Sequence, residues 1–236
     1  MHHAIIHTAF DLLAVTLAVL GGWVVYKWRL RDQLEKTAAS VSSGYFIALS
    51  IGSIGGAFLF GTLNLYLMGL PTIGRSVLGS LFGAIMMVEL YKLKRGTKGS
   101  TGYIYIVPFC LCIAVGRLGC FFSGIEDQTH GIPTGLPWAH DFGDGILRHP
   151  VQLYESFSML AFTAFTLLAL KNHKDLIIRY GFYLCAGFYA TQRFAWEFLK
   201  PYHQLGPLNM FQYICIALII YSSIMIYGAR HAHRTA

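Results

Sequence analysis

The chain has 236 residues, of which 55% are hydrophobic and only 12% charged, about half the roughly 25% charged residues of an ordinary soluble domain. With a mean hydropathy of +0.53, this composition excludes a cytosolic globular protein. The net charge of +7 is scattered in short clusters beside apolar segments, which excludes an extended nucleic-acid surface.

The expected class is an all-α integral membrane protein, a single domain over residues 1–236 whose helices pack through small residues. About 20 apolar residues cross a bilayer. The first predicted span, His7 to Tyr26, is preceded by histidines and followed by the basic run KWRLR, so it reads as a retained helix and not a cleavable signal. Further spans are predicted at Tyr45 to Met68, Ile73 to Leu90 and Tyr103 to Phe122. Residues 123–150 form the one long polar connection and read as a small extracytoplasmic loop or head between helices four and five. Three more spans follow at Val151 to Leu170, Ile177 to Leu199 and Leu208 to Tyr227.

The charges fix an expected orientation. Lys27, Arg29, Arg31 and Lys36 follow span one; Lys92, Lys94, Arg95 and Lys98 follow span three; Lys171, Lys174 and Arg179 follow span five; Arg230 and Arg234 follow span seven. These thirteen of the 18 Lys and Arg fall on one side, which the positive-inside rule makes cytoplasmic, with the N-terminus outside and the C-terminus inside.

The other five cations, Arg75, Arg117, Arg148, Arg193 and Lys200, sit in or beside the outer half of the predicted bundle. Arg117 is about 21 Å along span four at 1.5 Å per residue, and Arg193 is roughly as far along span six. A charge at the bilayer centre costs at least about 2.5 to 3.5 kcal/mol, so both arginines are candidates for function. The structural alternatives are Arg/Glu bridges between helices, and snorkelling for Arg75 and Lys200 near helix ends.

Three segments converge on this face. GRLGCFFSG, Gly116 to Gly124, flanks Arg117 with glycines that permit close approach. RHPVQLYES, Arg148 to Ser156, places Pro150 where a helix starts, with His149 at the cap and Gln152 and Glu155 projecting from the first turns. YATQRFAWEF, Tyr189 to Phe198, spaces Tyr189, Arg193 and Glu197 by four, stacking them on one helical face.

Together these segments resemble the prolipoprotein diacylglyceryl transferase family, marked by a GRxGNFxN segment ending a span, HPxQLYE opening the next, and a Tyr, Arg and Glu at four-residue spacing in a later one. Arg117 matches the first motif, His149, Pro150, Gln152, Leu153, Tyr154 and Glu155 the second, and Tyr189, Arg193 and Glu197 the third. The resemblance implies a seven-span enzyme of the bacterial inner membrane, with its active site facing the outer leaflet and periplasm. Such an enzyme moves the diacylglyceryl group of phosphatidylglycerol to the thiol of a lipobox cysteine in a prolipoprotein and releases glycerol phosphate; a different lipid acceptor and a non-catalytic lipid binder are the alternatives. It implies no cofactor and no nucleic-acid partner.

On this reading Arg117, Arg193, His149 and Glu197 are the catalytic candidates. Two arginines at one depth suit an anionic phosphate and the charge of a departing glycerol phosphate; Glu197 orients Arg193; and His149 or Glu155 assists deprotonation, with a helix-start contact as the other role for His149. Tyr189, Gln152, Tyr154, Glu155, Arg148, Arg75, Gly119 and Cys120 are the substrate-binding candidates.

The chain departs from the family pattern in places. Cys120 and Ser123 stand where the family has asparagines, the following glutamate is displaced to Glu126, and Leu78 stands where the family carries a span-three histidine. Cys120 reads as a small apolar residue, or as a thiol activated by Arg117. The five cysteines have no disulfide or zinc spacing. Asp141, Asp144 and His140 read as a capped loop in preference to a metal site, no metal site is expected, and His2, His3 and His7 read as solvent or interfacial residues, with Asp11 one turn beyond His7 as its simple partner.

Overall fold

The computed structural model describes residues 2–97 and 99–234, and the side chains of 5–97 and 99–231. Lys98 and the side chains of His2, His3 and Arg234 lie outside the described residues. The described residues are predominantly helical. Helix α1 (His2–Val25) runs through a π turn (Tyr26–Leu30) into α2 (Arg31–Ser40), then come α3 (Ser43–Leu67) and α4 (Val77–Arg95). A 3-10 turn (Tyr103–Tyr105) leads into α5 (Ile106–Phe122) and another (Gly124–Asp127) leaves it. Short antiparallel strands β1 (His140–Asp141) and β2 (Leu147–Arg148) pair with His140 opposite Arg148. Beyond them lie α6 (Val151–Asn172), the single turn α7 (Lys174–Leu176), a π turn (Ile177–Gly181), α8 (Phe182–Glu197), the hairpin of β3 (Gln204–Leu205) and β4 (Leu208–Asn209), and α9 (Met210–Arg234).

Among the described residues, five helical stretches are long and apolar enough to cross a membrane: Ile5–Ser40, Ser43–Leu67, Tyr103–Phe122, Val151–Asn172 and Met210–His231. The two other expected spans coincide with α4 and α8. These carry Glu89, Lys92, Lys94 and Arg95 in one and Gln192, Arg193 and Glu197 in the other, which dilutes their apolar content. Large apolar side chains stay exposed on the outside of the bundle, among them Leu12, Val19, Phe46, Ile54 and Leu59. A continuous apolar exterior is what a hydrocarbon solvent requires.

Several boundaries move. Helix α4, the third expected span, begins at Val77, where the Ser76 hydroxyl caps it by accepting from the Gly79 amide at 3.1 Å, so Arg75 precedes the helix and does not ride on it. Leu208 and Asn209 pair as a strand, and the last helix starts at Met210. Lys92, expected among the solvent-facing loop cations, is instead buried, with Nζ 2.9 Å from Glu89 Oε1, and the Tyr221 hydroxyl donates to the same oxygen at 2.8 Å. An apolar stem inside the bundle leaves that ammonium one neutralising partner within reach, the carboxylate one turn back.

The closest helix pairs are α3 with α4, α1 with α5, α5 with α6, and α8 with α9. Glycines set the first of these crossings. A Cβ at Gly52 or Gly56 would run into the carbonyl oxygen of Gly83 or Gly79, and the facing positions are equally closed. Backbones therefore meet directly, as small residues allow in membrane bundles, and Ser53 and Ser80 bridge them at 2.7 Å. The α3/α4 pair, the α1/α5 pair and the inner faces of α8 and α9 line a cavity of about 1100 Å³. One end carries Tyr45, Glu89 and Lys92; the other carries His7, Arg75, Arg117, Asp127 and Arg193.

Gly56→Leu is expected to lower stability by at least about 1 to 3 kcal/mol, the range for forcing methylenes into packed space. Gly55, where a Cβ would point into open space, should accept Ala within about 0.5 kcal/mol. Thermal unfolding of the two variants in detergent checks the contrast.

Candidate active site

The buried centre of the bundle holds five charged side chains. Glu155, on the second turn of α6, has no solvent exposure. Its Oε2 lies 2.7 Å from Nε of Arg117 on α5. Its Oε1 accepts from Arg193 Nη1 of α8 and, at 2.7 Å, from Nζ of Lys200, three residues past the end of that helix. Four-residue spacing brings Glu197 Oε1 to 2.7 Å from Arg193 Nη2, and Lys200 Nζ lies 3.7 Å from the same oxygen. Asn209 Nδ2 donates to Glu197 Oε2 at 3.1 Å. Ser156 fixes the register by donating to the Ala114 carbonyl at 2.7 Å, which turns Glu155 toward Arg117.

Three cations thus share two carboxylates. Buried charges this close need pairing to offset desolvation, and here the pairing leaves an excess of positive charge. Arg117 and Arg193 both line the cavity. Tyr189, one turn before Arg193, is fully buried with its ring edge-on to Phe109. Its hydroxyl, both polar atoms of the Gln152 amide, and Arg193 Nε are buried without a hydrogen-bond partner.

The remaining candidates are dispersed. Cys120 and Arg75 line the cavity. Gly119 turns away from it: a Cβ there would meet Phe10, so this glycine admits α1 against α5. His149 is one residue outside the position predicted for it, because Pro150 is the N-cap and no side chain caps the helix. Its Nδ1 lies 3.3 Å from the Tyr154 hydroxyl, which also accepts from Trp138 Nε1 at 2.8 Å. Arg148 is engaged within its own loop, donating to Asp144 Oδ1 at 2.5 Å and to the Ile146 carbonyl at 3.2 Å. Asp141 Oδ1 accepts from the backbone amides of Gly143, Asp144 and Gly145. Those amides hold the Asp141 carboxyl below its usual range, and Arg148 does the same for Asp144. This is the capped loop, with both acids already occupied. Leu78, at the position of the family's histidine, is buried in the core.

Beside Arg117 the structure forms a second group. His7 Nδ1 is 3.1 Å from Asp11 Oδ2, the expected pair, and His7 Nε2 is 3.2 Å from Asp127 Oδ1. Cys120 Sγ lies 3.9 Å from both His7 Nε2 and Arg117 Nη1. The Thr129 hydroxyl donates to Asp127 Oδ2. Burial works to raise the Asp127 carboxyl, but the bonds from His7 and Thr129 and the charge of Arg117 outweigh it and hold it below its usual range.

Sequence reasoning left Lys200, Asn209 and Asp127 out of the site. For Lys200 a signal existed, a lysine one turn beyond Glu197 in a helix already carrying Arg193. For Asp127 and Asn209 none did, since each is brought in by a turn or hairpin.

The family model for prolipoprotein diacylglyceryl transferase matches residues 12–228. The chain belongs to that family. A relative from Pseudomonas putida KT2440, named phosphatidylglycerol–prolipoprotein diacylglyceryl transferase, is 29% identical over 95% of this chain and 90% of its own length. Relatives of the same name from Vibrio campbellii and Bordetella parapertussis are 32% and 33% identical, over 78% and 62% of this chain and 68% and 58% of their own lengths. No solved structure gives a significant match. Within this divergent member of the family, Arg117, Glu155, Arg193 and Glu197 form one connected cluster.

Glu155→Leu strands three buried cations against one carboxylate. It is expected to cost about 3 to 5 kcal/mol, the range for removing one partner of a buried pair, measured as lost thermal stability in detergent. Glu155→Gln should lose less, because the amide oxygen still accepts from Lys200.

Proposed function

We propose that this protein transfers the diacylglyceryl group of phosphatidylglycerol to the lipobox cysteine thiol of a prolipoprotein and releases glycerol phosphate. The observation that carries the proposal is the buried cluster of three cations on two carboxylates, opening through Arg117 and Arg193 onto a cavity lined mainly by apolar side chains. An anionic phosphate neutralises the excess charge, and the acyl chains suit the apolar walls. The named relatives support the same donor and acceptor.

In the reaction the thiol sulfur bonds to the glyceryl carbon, the bond from that carbon to the phosphate oxygen breaks, and glycerol phosphate departs with the electron pair. Arg117 and Arg193 hold the phosphate and stabilise charge on the leaving oxygen. Glu197 keeps the Arg193 guanidinium in place from one turn away, and Tyr189, one turn before Arg193, and Gln152, one turn before Glu155, bring unsatisfied polar atoms to the buried cluster behind the arginines. Glu155, ion-paired to three cations, is a poor base and acts by positioning both arginines. His149 with Tyr154 stands at the mouth of α6, where it receives the thiol proton or contacts the headgroup. Arg75 adds positive charge at the cavity rim, and Arg148 acts by bracing the loop.

All seven long helices cross the bacterial inner membrane in this reading, with the N-terminus and the loop of residues 123–150 on the periplasmic side and the C-terminus in the cytoplasm. The distribution of Lys and Arg supports that orientation.

Purified protein in mixed micelles with labelled phosphatidylglycerol should release glycerol phosphate only when a lipobox peptide is present. Arg117→Ala should reduce the rate at least 100-fold, in line with losing about 2.7 kcal/mol of transition-state stabilisation, while remaining folded. Lipid binding without release for any peptide would remove this acceptor and leave a different acceptor or a binder.

A further inference from the structure

The group beside Arg117 has a chemistry that the transfer reaction does not use. His7 Nε2, Cys120 Sγ and Asp127 Oδ1 converge so that all three donor atoms lie within 4.8 Å of one another. We propose that His7, Cys120 and Asp127 bind a thiophilic divalent cation of the zinc class on the cavity wall.

The geometry is close to that of three corners of a metal tetrahedron. Zinc bonds of roughly 2.0 to 2.3 Å to nitrogen, oxygen and sulfur place ligand atoms about 3.3 to 3.6 Å apart. Here His7 Nε2 is 3.2 Å from Asp127 Oδ1 and 3.9 Å from Cys120 Sγ, and the third edge of the triangle is within 4.8 Å, so the His7–Asp127 edge already has the ligand spacing and loading draws the sulfur inward.

The outer partners point the same way. Asp11 takes the other ring nitrogen of His7 at 3.1 Å, Thr129 donates to the second oxygen of Asp127, and Arg117 Nη1 faces Cys120 Sγ. A carboxylate behind a histidine ligand is the arrangement that fixes its tautomer and directs the free nitrogen at a metal. With Asp11 holding the Nδ1 proton, His7 Nε2 presents a lone pair to an Asp127 oxygen that also carries lone pairs. Only a proton or a cation between them makes that contact attractive. Loading releases the Cys120 thiol proton, and the thiolate and the Asp127 carboxylate together neutralise the dication, so the filled site carries no net charge of its own beside Arg117. Three protein ligands leave the fourth position open toward the cavity, and the proposal does not depend on which acceptor the protein uses.

The test uses the full-length protein in detergent, purified without a histidine tag, stripped with chelator and titrated with Zn²⁺ alone or Co²⁺ alone. One equivalent of Zn²⁺ should bind saturably and raise the unfolding temperature, and Co²⁺ should give a thiolate charge-transfer band. Cys120→Ser should abolish the band, Asp127→Asn should weaken Zn²⁺ at least tenfold, and Asp11→Asn should weaken it roughly 10- to 100-fold through the outer shell. Cys112→Ser serves as a control and should bind as the parent does. Absence of saturable binding to the folded parent, or a charge-transfer band that survives Cys120→Ser, overturns the proposal and leaves an imidazolium held between two carboxylates. Should a ligand variant fail to fold, alkylation of the parent read by peptide mass spectrometry decides the matter: bound Zn²⁺ should protect Cys120, and a Cys120 that is alkylated equally with and without Zn²⁺ overturns the proposal.

Discussion

Glu155 is the constraint on which the rest of this structure depends. A carboxylate without solvent exposure persists only where charge and hydrogen bonds replace water, and here Arg117, Arg193 and Lys200 supply both. The three cations come from α5, α8 and the segment beyond α8. Their convergence on one side chain of α6 therefore sets how three helices meet. It also sets the electrostatics, because a second carboxylate, Glu197, cannot balance three cations. The surplus charge that makes the site receptive to an anion is a consequence of the packing that holds the bundle together.

Glycine governs the other half of the architecture. Direct backbone contact between α3 and α4 at Gly52, Gly56, Gly79 and Gly83 draws that pair into a tight unit. Gly119 does the same for α5 against Phe10 of α1. Two closely paired units leave room between them, and the cavity fills that space. The approach at Gly119 also brings His7 within reach of Cys120 and Asp127, so one residue's lack of a Cβ shapes both the cavity wall and the group of candidate metal ligands on it.

The loop of residues 123–150 is organised by its own polar residues. Asp141 collects three backbone amides and Asp144 collects Arg148, which leaves little of that charge for a substrate. The replacements at Leu78 and Cys120 sit differently. Leu78 is packed in the core, so the place of a polar family residue has become part of the hydrophobic interior. Cys120 remains on the cavity, next to Arg117 and His7.

The helices were legible in the sequence because an apolar run near 20 residues is a local property, as was the Tyr189, Arg193 and Glu197 stripe, which follows from helical periodicity alone. The motifs around Arg117 and Glu155 also announced themselves, through charge in apolar surroundings. The helix starts at Val77 and Met210 were not legible, since hydropathy does not distinguish an extended apolar segment from a helix. Nor was the role of Glu155 as shared partner of three cations, or the burial of Lys92 and Lys200. Residue type and spacing determined that charges had to be buried here and which helix faces carried them. Only the tertiary structure decided which charge meets which, because pairing between Arg117, Glu155 and Lys200, or between His7 and Asp127, depends on helix-to-helix distance and rotation, and these are set by packing across the whole bundle.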